Sequence, residues 1–179
     1  MGKWKVLDSN KIIENKWITV EKQKCAINEK TIIEDYYIIK KKDYVIIVAE
    51  DNDEILFLKQ YRHAIGEFLL NLPMGVIDEG ESAEGAAKRE FSEETGYEIN
   101  KIKYIGELFL APGYLTTKAY LFFTDNIKKI KNRKIDDKEN LTLARISKNK
   151  LKELIEENVI KDMSTLASIF MVKENLRLF

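Results

Sequence analysis

The sequence predicts an α/β protein: a mixed β-sheet sandwiched between helices, with an N-terminal β-hairpin extension. Three observations carry this expectation. Val45, Ile46, Ile47 and Val48 run continuously apolar, as in a strand covered on both faces. Residues 82–96 carry helix punctuation at both ends, and two amphipathic segments follow near the C-terminus, at 150–158 and 163–176. Most of the chain between these points is broken into short stretches rich in β-branched and aromatic residues.

Composition limits the function classes. A chain of 179 residues can bury a respectable core within one domain. With 45% hydrophobic and 34% charged residues it belongs with soluble globular proteins. Thirty basic and 30 acidic residues cancel, so nothing global points to nucleic acid or to an anionic membrane. The single cysteine, Cys25, allows no intrachain disulfide and fits a reducing cytoplasm. No signal peptide, membrane-length apolar run, repeat or low-complexity linker is visible.

Taken in order, residues 17–26 and 31–40 read as two strands joined by a turn near Asn28-Glu29, with Ile32, Ile33, Tyr36, Tyr37, Ile38 and Ile39 supplying β character. Residues 44–49 and 55–61 form the next pair, turned by Asp51-Asn52-Asp53. Arg62 closes that pair, and a guanidinium presents a planar fork suited to phosphate; a surface salt bridge is the plainer use. His63, the only histidine, has no nucleophile set beside it and reads as scaffold. Residues 102–110 and 119–124 are further strands, separated by Ala111-Pro112-Gly113-Tyr114. The stretch 126–140, NIKKIKNRKIDDKEN, reads as a solvated loop whose lysines suit an anionic substrate. A last strand at 141–146 leads into the two C-terminal helices, with Leu151, Leu154 and Ile155, then Leu166, Ile169, Phe170 and Met171 or Val172, turned inward as scaffolding.

The chemistry concentrates in 75–97, GVIDEGESAEGAAKREFSEETGY. Ser82 is a good N-cap, Glu84 suits the first turn, and Gly96 suits the stop. On a wheel of about 100° per residue, Ala83, Ala86, Ala87 and Phe91 share one arc. Glu90 and Glu94 fall inside that apolar arc and Glu93 on its edge, where carboxylates repel one another and pay for desolvation. Arg89 can neutralise one. A divalent cation explains the rest, and all-oxygen ligands point to Mg2+ or Mn2+. A solvated acidic face is the plainer alternative. The preceding loop, with Gly75 and Gly80 free to turn sharply, can aim a backbone carbonyl at the helix and so cradle metals that bridge a pyrophosphate.

The spacing G-x5-E-x7-R-E-x2-E-E-x-G resembles the Nudix box, filled here by Gly75, Glu81, Arg89, Glu90, Glu93, Glu94 and Gly96, with Phe91 where the family usually has an aliphatic residue. The flanks, KQYRHAIGEFLLNLPMG before and Ala111-Pro112-Gly113-Tyr114 after, resemble the ADP-ribose pyrophosphatase branch. The resemblance implies metal-dependent hydrolysis of the pyrophosphate bond in a nucleoside diphosphate linked to another moiety, ADP-ribose or a related ADP-compound. The products would be AMP and a phosphorylated sugar. It implies Mg2+, with Mn2+ as substitute, held by Glu90, Glu93, Glu94 and the carbonyl of Met74. Glu81 and Arg89 would brace the loop and orient the acids. An acid of the 126–140 loop would act as general base or position the attacking water: Glu139 by alignment, with Asp136 and Asp137 as rivals. Catalysis would thus rest on Glu139, Glu93 and Arg89.

The same resemblance places substrate on Trp17, Arg62, Pro112 and Gly113. Trp17 matches an aromatic position that stacks on adenine in some of these enzymes; core or interface packing is its other reading. The branch often has a second tryptophan near Glu34, absent here, and Tyr36 or Tyr37 could serve. Asn71 and Met74 replace a usual glutamate and alanine, and Lys118 stands where an acid is frequent, as in a related group that hydrolyses several ADP-compounds. Residues 1–42 would form the extension through which the chain pairs as a homodimer, and 43–179 the Nudix hydrolase domain. A catalytically silent Nudix domain, sensing nucleotide-sugars or docking a partner, is the alternative function.

Overall fold

The computed structural model of the chain describes residues 2–130 and 140–177. The chain divides into two compact units, Met1–Asp43 with Phe109–Lys118, and Tyr44–Leu108 with Ala119–Phe179.

The first unit is a three-stranded antiparallel sheet, β1 (Lys5–Glu14), β2 (Thr19–Ala26) and β3 (Ile32–Lys40), in the order β1-β2-β3. The expected hairpin is β2–β3. Asn28 Oδ1 fixes its turn by accepting from the backbone N–H groups of Lys30 and Thr31, each at 2.9 Å. The third strand, β1, goes beyond the expected hairpin. All ten of its residues are exposed, so no burial period marks it in the sequence; its backbone ladder with β2, interrupted by two register shifts, makes it a strand. The segment Phe109–Lys118, which no shift of composition sets apart, joins this unit at β3. Ile39 N–H donates to the Tyr114 carbonyl at 2.7 Å, Thr116 N–H donates to the Ile39 carbonyl at 3.1 Å, and the Tyr36 hydroxyl donates to the Gly113 carbonyl.

The second unit contains β4 (Tyr44–Asp51), β5 (Glu54–Arg62), β6 (Glu67–Asn71), β7 (Met74–Val76), α1 (Ala83–Thr95), most of β8 (Tyr97–Phe109) and β9 (Lys118–Lys129), then β10 (Leu141–Ser147), α2 (Lys148–Glu156) and α3 (Met163–Leu176). The sheet order is β10-β5-β4-β9-β8, with β6 added to β5 and β7 to β4. β4 runs parallel to β9 but antiparallel to β5 and β7, so the sheet is mixed, as expected. Asn52 and Asp53 join β4 to β5 with φ of 52° and 64°, the positive values that a two-residue hairpin loop demands.

Alternation along β4 splits the core in two. Ile46 and Val48 face one side, with Phe57, Leu121, Leu151, Ile169 and Val172. Val45, Ile47 and Ala49 face the other, with Leu56, Ala86, Ala87, Phe91 and Phe122. Helix α1 thus covers one face, and α2 with α3 the opposite face. Phe91 is fully buried, so its truncation to alanine would cost about 3–5 kcal/mol.

Two stretches depart from expectation. β7 lies within the loop expected before α1, and β6 in a stretch to which the sequence assigns no element, because five and three residues are too short to show a period. β9 continues to Lys129, so residues 126–129 are strand and not loop, with Ile127 packed against the core on the α1 side.

Candidate active site

Helix α1 begins and ends where its punctuation places it. Ser82 Oγ accepts from Gly85 N–H at 3.1 Å, and Gly96, at φ 75°, donates to the Ser92 carbonyl at 3.1 Å. The strand–loop–helix passage β7–α1 brings the acids to the loop. Glu94 is 5% exposed, and its Oε2 accepts from Met74 N–H at 2.9 Å. Glu90 is largely buried and Glu93 is 45% exposed, the gradient the helical wheel predicts. Gly75 stands against Glu90: a Cβ at that position would lie 1.9 Å from Glu90 Cδ, so only glycine admits this carboxylate.

Arg89 joins these groups. Its Nε and Nη2 grip both oxygens of Glu81 at 3.0 and 2.8 Å. Its Nη1 donates to Glu90 Oε1 at 2.8 Å and to Glu93 Oε2 at 3.3 Å, and Nη2 also reaches the Val76 carbonyl at 3.0 Å. The sequence suggests one neutralised acid; the structure gives Arg89 four, Glu81, Glu90 and Glu93 by hydrogen bonds and Asp78 at 3.9 Å. The paired signal is the R-E-x2-E spacing, which puts Glu90 beside Arg89 and Glu93 one turn on. The hydrogen bond to Glu81, followed by the contact with Glu90, raises the Arg89 pKa, and the same bond from Arg89 holds the Glu81 carboxyl below the usual range. Glu81 Oε2 further accepts from Asp78 N–H at 3.2 Å, which ties the loop to the helix.

Among the described residues, no three acids, histidines or cysteines are already gathered as a metal cluster. Arg89 holds Glu90 and Glu93, while Met74 N–H holds Glu94. The donor set nevertheless fits a hard divalent cation by chemistry: three carboxylates within little more than one turn of one helix, and the backbone of Met74 against the innermost.

The remaining candidates are placed as follows. Arg62, at the end of β5, donates from Nε to Asn71 Oδ1 at 2.9 Å and from Nη2 towards Met74 Sδ at 3.8 Å, so it neighbours the residue that Glu94 holds. Sequence reasoning marks Asn71 only as a departure from a family pattern and misses this pairing. Trp17 lies in the β1–β2 turn, 71% exposed and 4.7 Å beneath Lys16 Nζ, so it is not a core residue. Pro112 and Gly113 belong to the Phe109–Lys118 segment, where Gly113 accepts from Tyr36. Lys118 Nζ stands 5.5 Å from the ring centroid of Phe109. His63 is exposed. Glu139, with Asp136 and Asp137, lies outside the described residues. No helix among the described residues is long and apolar enough to cross a membrane.

The chain is similar to known hydrolases. The chain is 26% identical over 134 residues to an ADP-ribose pyrophosphatase of Bacillus subtilis, covering 74% of this chain and 72% of that one. It is 26% identical over 136 residues to the ADP compounds hydrolase NudE of Escherichia coli, covering 76% and 73%. A crystal structure of an ADP compounds hydrolase superposes with a TM-score of 0.85 over 99% of this chain and 96% of the other, at 22% identity, a likeness of fold. The NUDIX domain family matches residues 40–163, which include the whole acid-bearing helix, and the chain belongs to that family.

Proposed function

We propose that this Nudix chain hydrolyses the pyrophosphate bond of ADP-ribose or a related ADP-compound, giving AMP and a phosphorylated sugar. Its relatives in Bacillus subtilis and Escherichia coli carry the names of such hydrolases. The observation that carries the reading is the acid face of α1, where Glu90, Glu93 and Glu94 stand together around Arg89 and the Met74 backbone. A domain that only bound nucleotide-sugars would have less need of all three acids.

Nudix hydrolases work with a divalent metal ion; the ion inferred here is Mg2+, with Mn2+ as a substitute. Glu90, Glu93, Glu94 and the carbonyl of Met74 would hold it. When bound, such an ion neutralises charge on the two phosphates and makes water nucleophilic. The chain's own residues do the positioning. Glu81 fixes Arg89, and Arg89 orients Glu90 and Glu93 while their like charges would otherwise push them apart. The Met74 N–H aims Glu94. Arg62 offers its fork to a phosphoryl oxygen. Trp17 is assigned to adenine, Pro112 and Gly113 to substrate contact, and Glu139 to the attacking water.

We further infer a homodimer formed through the N-terminal extension. Its support is the exposed apolar surface of β1 and its flank: Trp4, Val6, Leu7, Ile12 and Ile13 are each at least 45% exposed. The lone Cys25, which can form no intrachain disulfide, fits a cytoplasmic location. On this division, residues 1–42 pair the subunits and 43–179 carry the chemistry.

The test is Mg2+-dependent release of nucleoside monophosphate from a panel of ADP-ribose, NADH, ADP-glucose, GDP-mannose and diadenosine polyphosphates. Wild-type protein is expected to turn over an ADP-compound, and Glu94→Gln to lose at least about 100-fold in kcat with its circular dichroism unchanged. Near-wild-type activity in Glu94→Gln would refute the metal assignment. Tight binding of one panel member without turnover would make the domain a sensor.

A further inference from the structure

Asn71 is the one described residue whose buried side-chain nitrogen or oxygen lacks a partner. Its side chain is 1% exposed; Oδ1 accepts from Arg62 Nε at 2.9 Å, and Nδ2 has no hydrogen-bond partner. A buried donor left unsatisfied costs free energy. An aspartate in the same shape would keep the bond to Arg62 and make it charge-assisted, but it would put an unpartnered, charged oxygen where the unpartnered Nδ2 now stands.

Arg62, for its part, makes no ion pair among the described residues. The acid opposite it in the β5–β6 register is Glu67, whose carboxylate is taken by Lys161 Nζ at 2.5 Å. Of the five guanidinium hydrogens, one goes to the Asn71 amide and one faces the Met74 sulfur, a weak acceptor at 3.8 Å. The cation is therefore held in place by a neutral group, next to the residue that meets Glu94.

We propose that Asn71 is a positioning residue: it fixes Arg62 through a neutral acceptor, so that the guanidinium keeps its full charge for an anionic phosphoryl oxygen of the substrate. The inference rests on the reading that Arg62 meets the diphosphate. An amide steers the fork as a carboxylate would, but it does not cancel the charge that the phosphate needs.

The experiment compares wild type, Asn71→Asp and Arg62→Ala by steady-state kinetics on ADP-ribose with Mg2+. Affinity for ADP is measured by calorimetry without metal, and thermal midpoints are recorded. For Asn71→Asp the expected result is a KM raised at least about tenfold with kcat within about threefold, a parallel weakening of ADP binding, and a midpoint within a few degrees of wild type. A purely structural role would instead lower the midpoint or move kcat and KM together. Wild-type KM and ADP affinity in Asn71→Asp overturn the proposal, as does a chain that no longer folds, because a residue that serves only to hold Arg62 leaves the fold intact while that bond is kept. Arg62→Ala separates the two levels. If it leaves ADP affinity unchanged, the contact of Arg62 with the diphosphate is wrong. If it weakens ADP at least tenfold while Asn71→Asp does not, only the role of Asn71 falls. ADP affinity separates these outcomes equally well if ADP-ribose is not the substrate turned over.

Discussion

Arg89 owes its position to Glu81, and the bond has a pH signature. The Glu81 carboxyl is depressed chiefly by its hydrogen bond from Arg89, so folding binds fewer protons at this site than the unfolded chain does. A depressed carboxylate adds stability above its unfolded pKa and loses it as pH falls through the folded one. Arg89 itself stays charged throughout, since its own pKa is raised. The clamp should therefore be intact from neutrality down to the ordinary carboxylate range and fail in more acidic solution. Thermal midpoints followed against pH are expected to show Glu81→Gln below wild type at neutrality, with the two curves converging in acid below the ordinary carboxylate range. A gap that persists unchanged in acid would mean that the bond to Arg89 is not what Glu81 contributes. The wheel could rank the burial of Glu90, Glu93 and Glu94, because helical period and apolar arc are local properties. That Glu81 and Arg89 brace the loop is implied by the family resemblance alone; the residues themselves do not show that the two grip each other, since the loop's path depends on β7 pairing with β4.

At the level of elements, α1 and the turn before it act as one piece. Caps at Ser82 and Gly96 fix where the helix starts and stops, and both were readable because capping is a contact over three or four residues. Gly75 has a different reason from the one its sequence suggests. Its φ is not positive; it is glycine because the Glu90 side chain occupies the space of a Cβ. The backbone at 75 tolerates alanine, and the atoms in the way belong to a flexible side chain. Gly75→Ala is thus expected to fold, with a loss of no more than about 1–2 kcal/mol, a fall of a few degrees in midpoint. It should displace the Glu90 carboxylate and lower kcat at least tenfold. Calorimetry beside Mg2+-dependent turnover checks this; full activity in the alanine variant would show that the position of Glu90 is unimportant. The strands β6 and β7 escaped notice because pairing partners, not their own composition, make such short segments strands.

For the whole molecule, the extension matters through what it exposes. Apolar side chains on both faces of a fully exposed strand are unstable against association. Sedimentation of the wild-type chain is expected to give a dimer, and Val6→Lys with Ile13→Lys a monomer whose second unit still melts cooperatively. A wild-type monomer at micromolar concentration would rule the dimer out.

The sequence alone determined the class of fold, the limits of α1 and α3, the double-faced burial of β4 and the identity of the acids on the inner side of the helix. Each of these is written in period or punctuation over a few neighbouring residues. Tertiary structure alone decided that β1 pairs with β2, that Phe109–Lys118 joins β3, that Arg89 serves several acids and that Asn71 meets Arg62. Those outcomes depend on which backbone edges and which distant side chains come within hydrogen-bond reach, and a linear pattern holds no record of that distance.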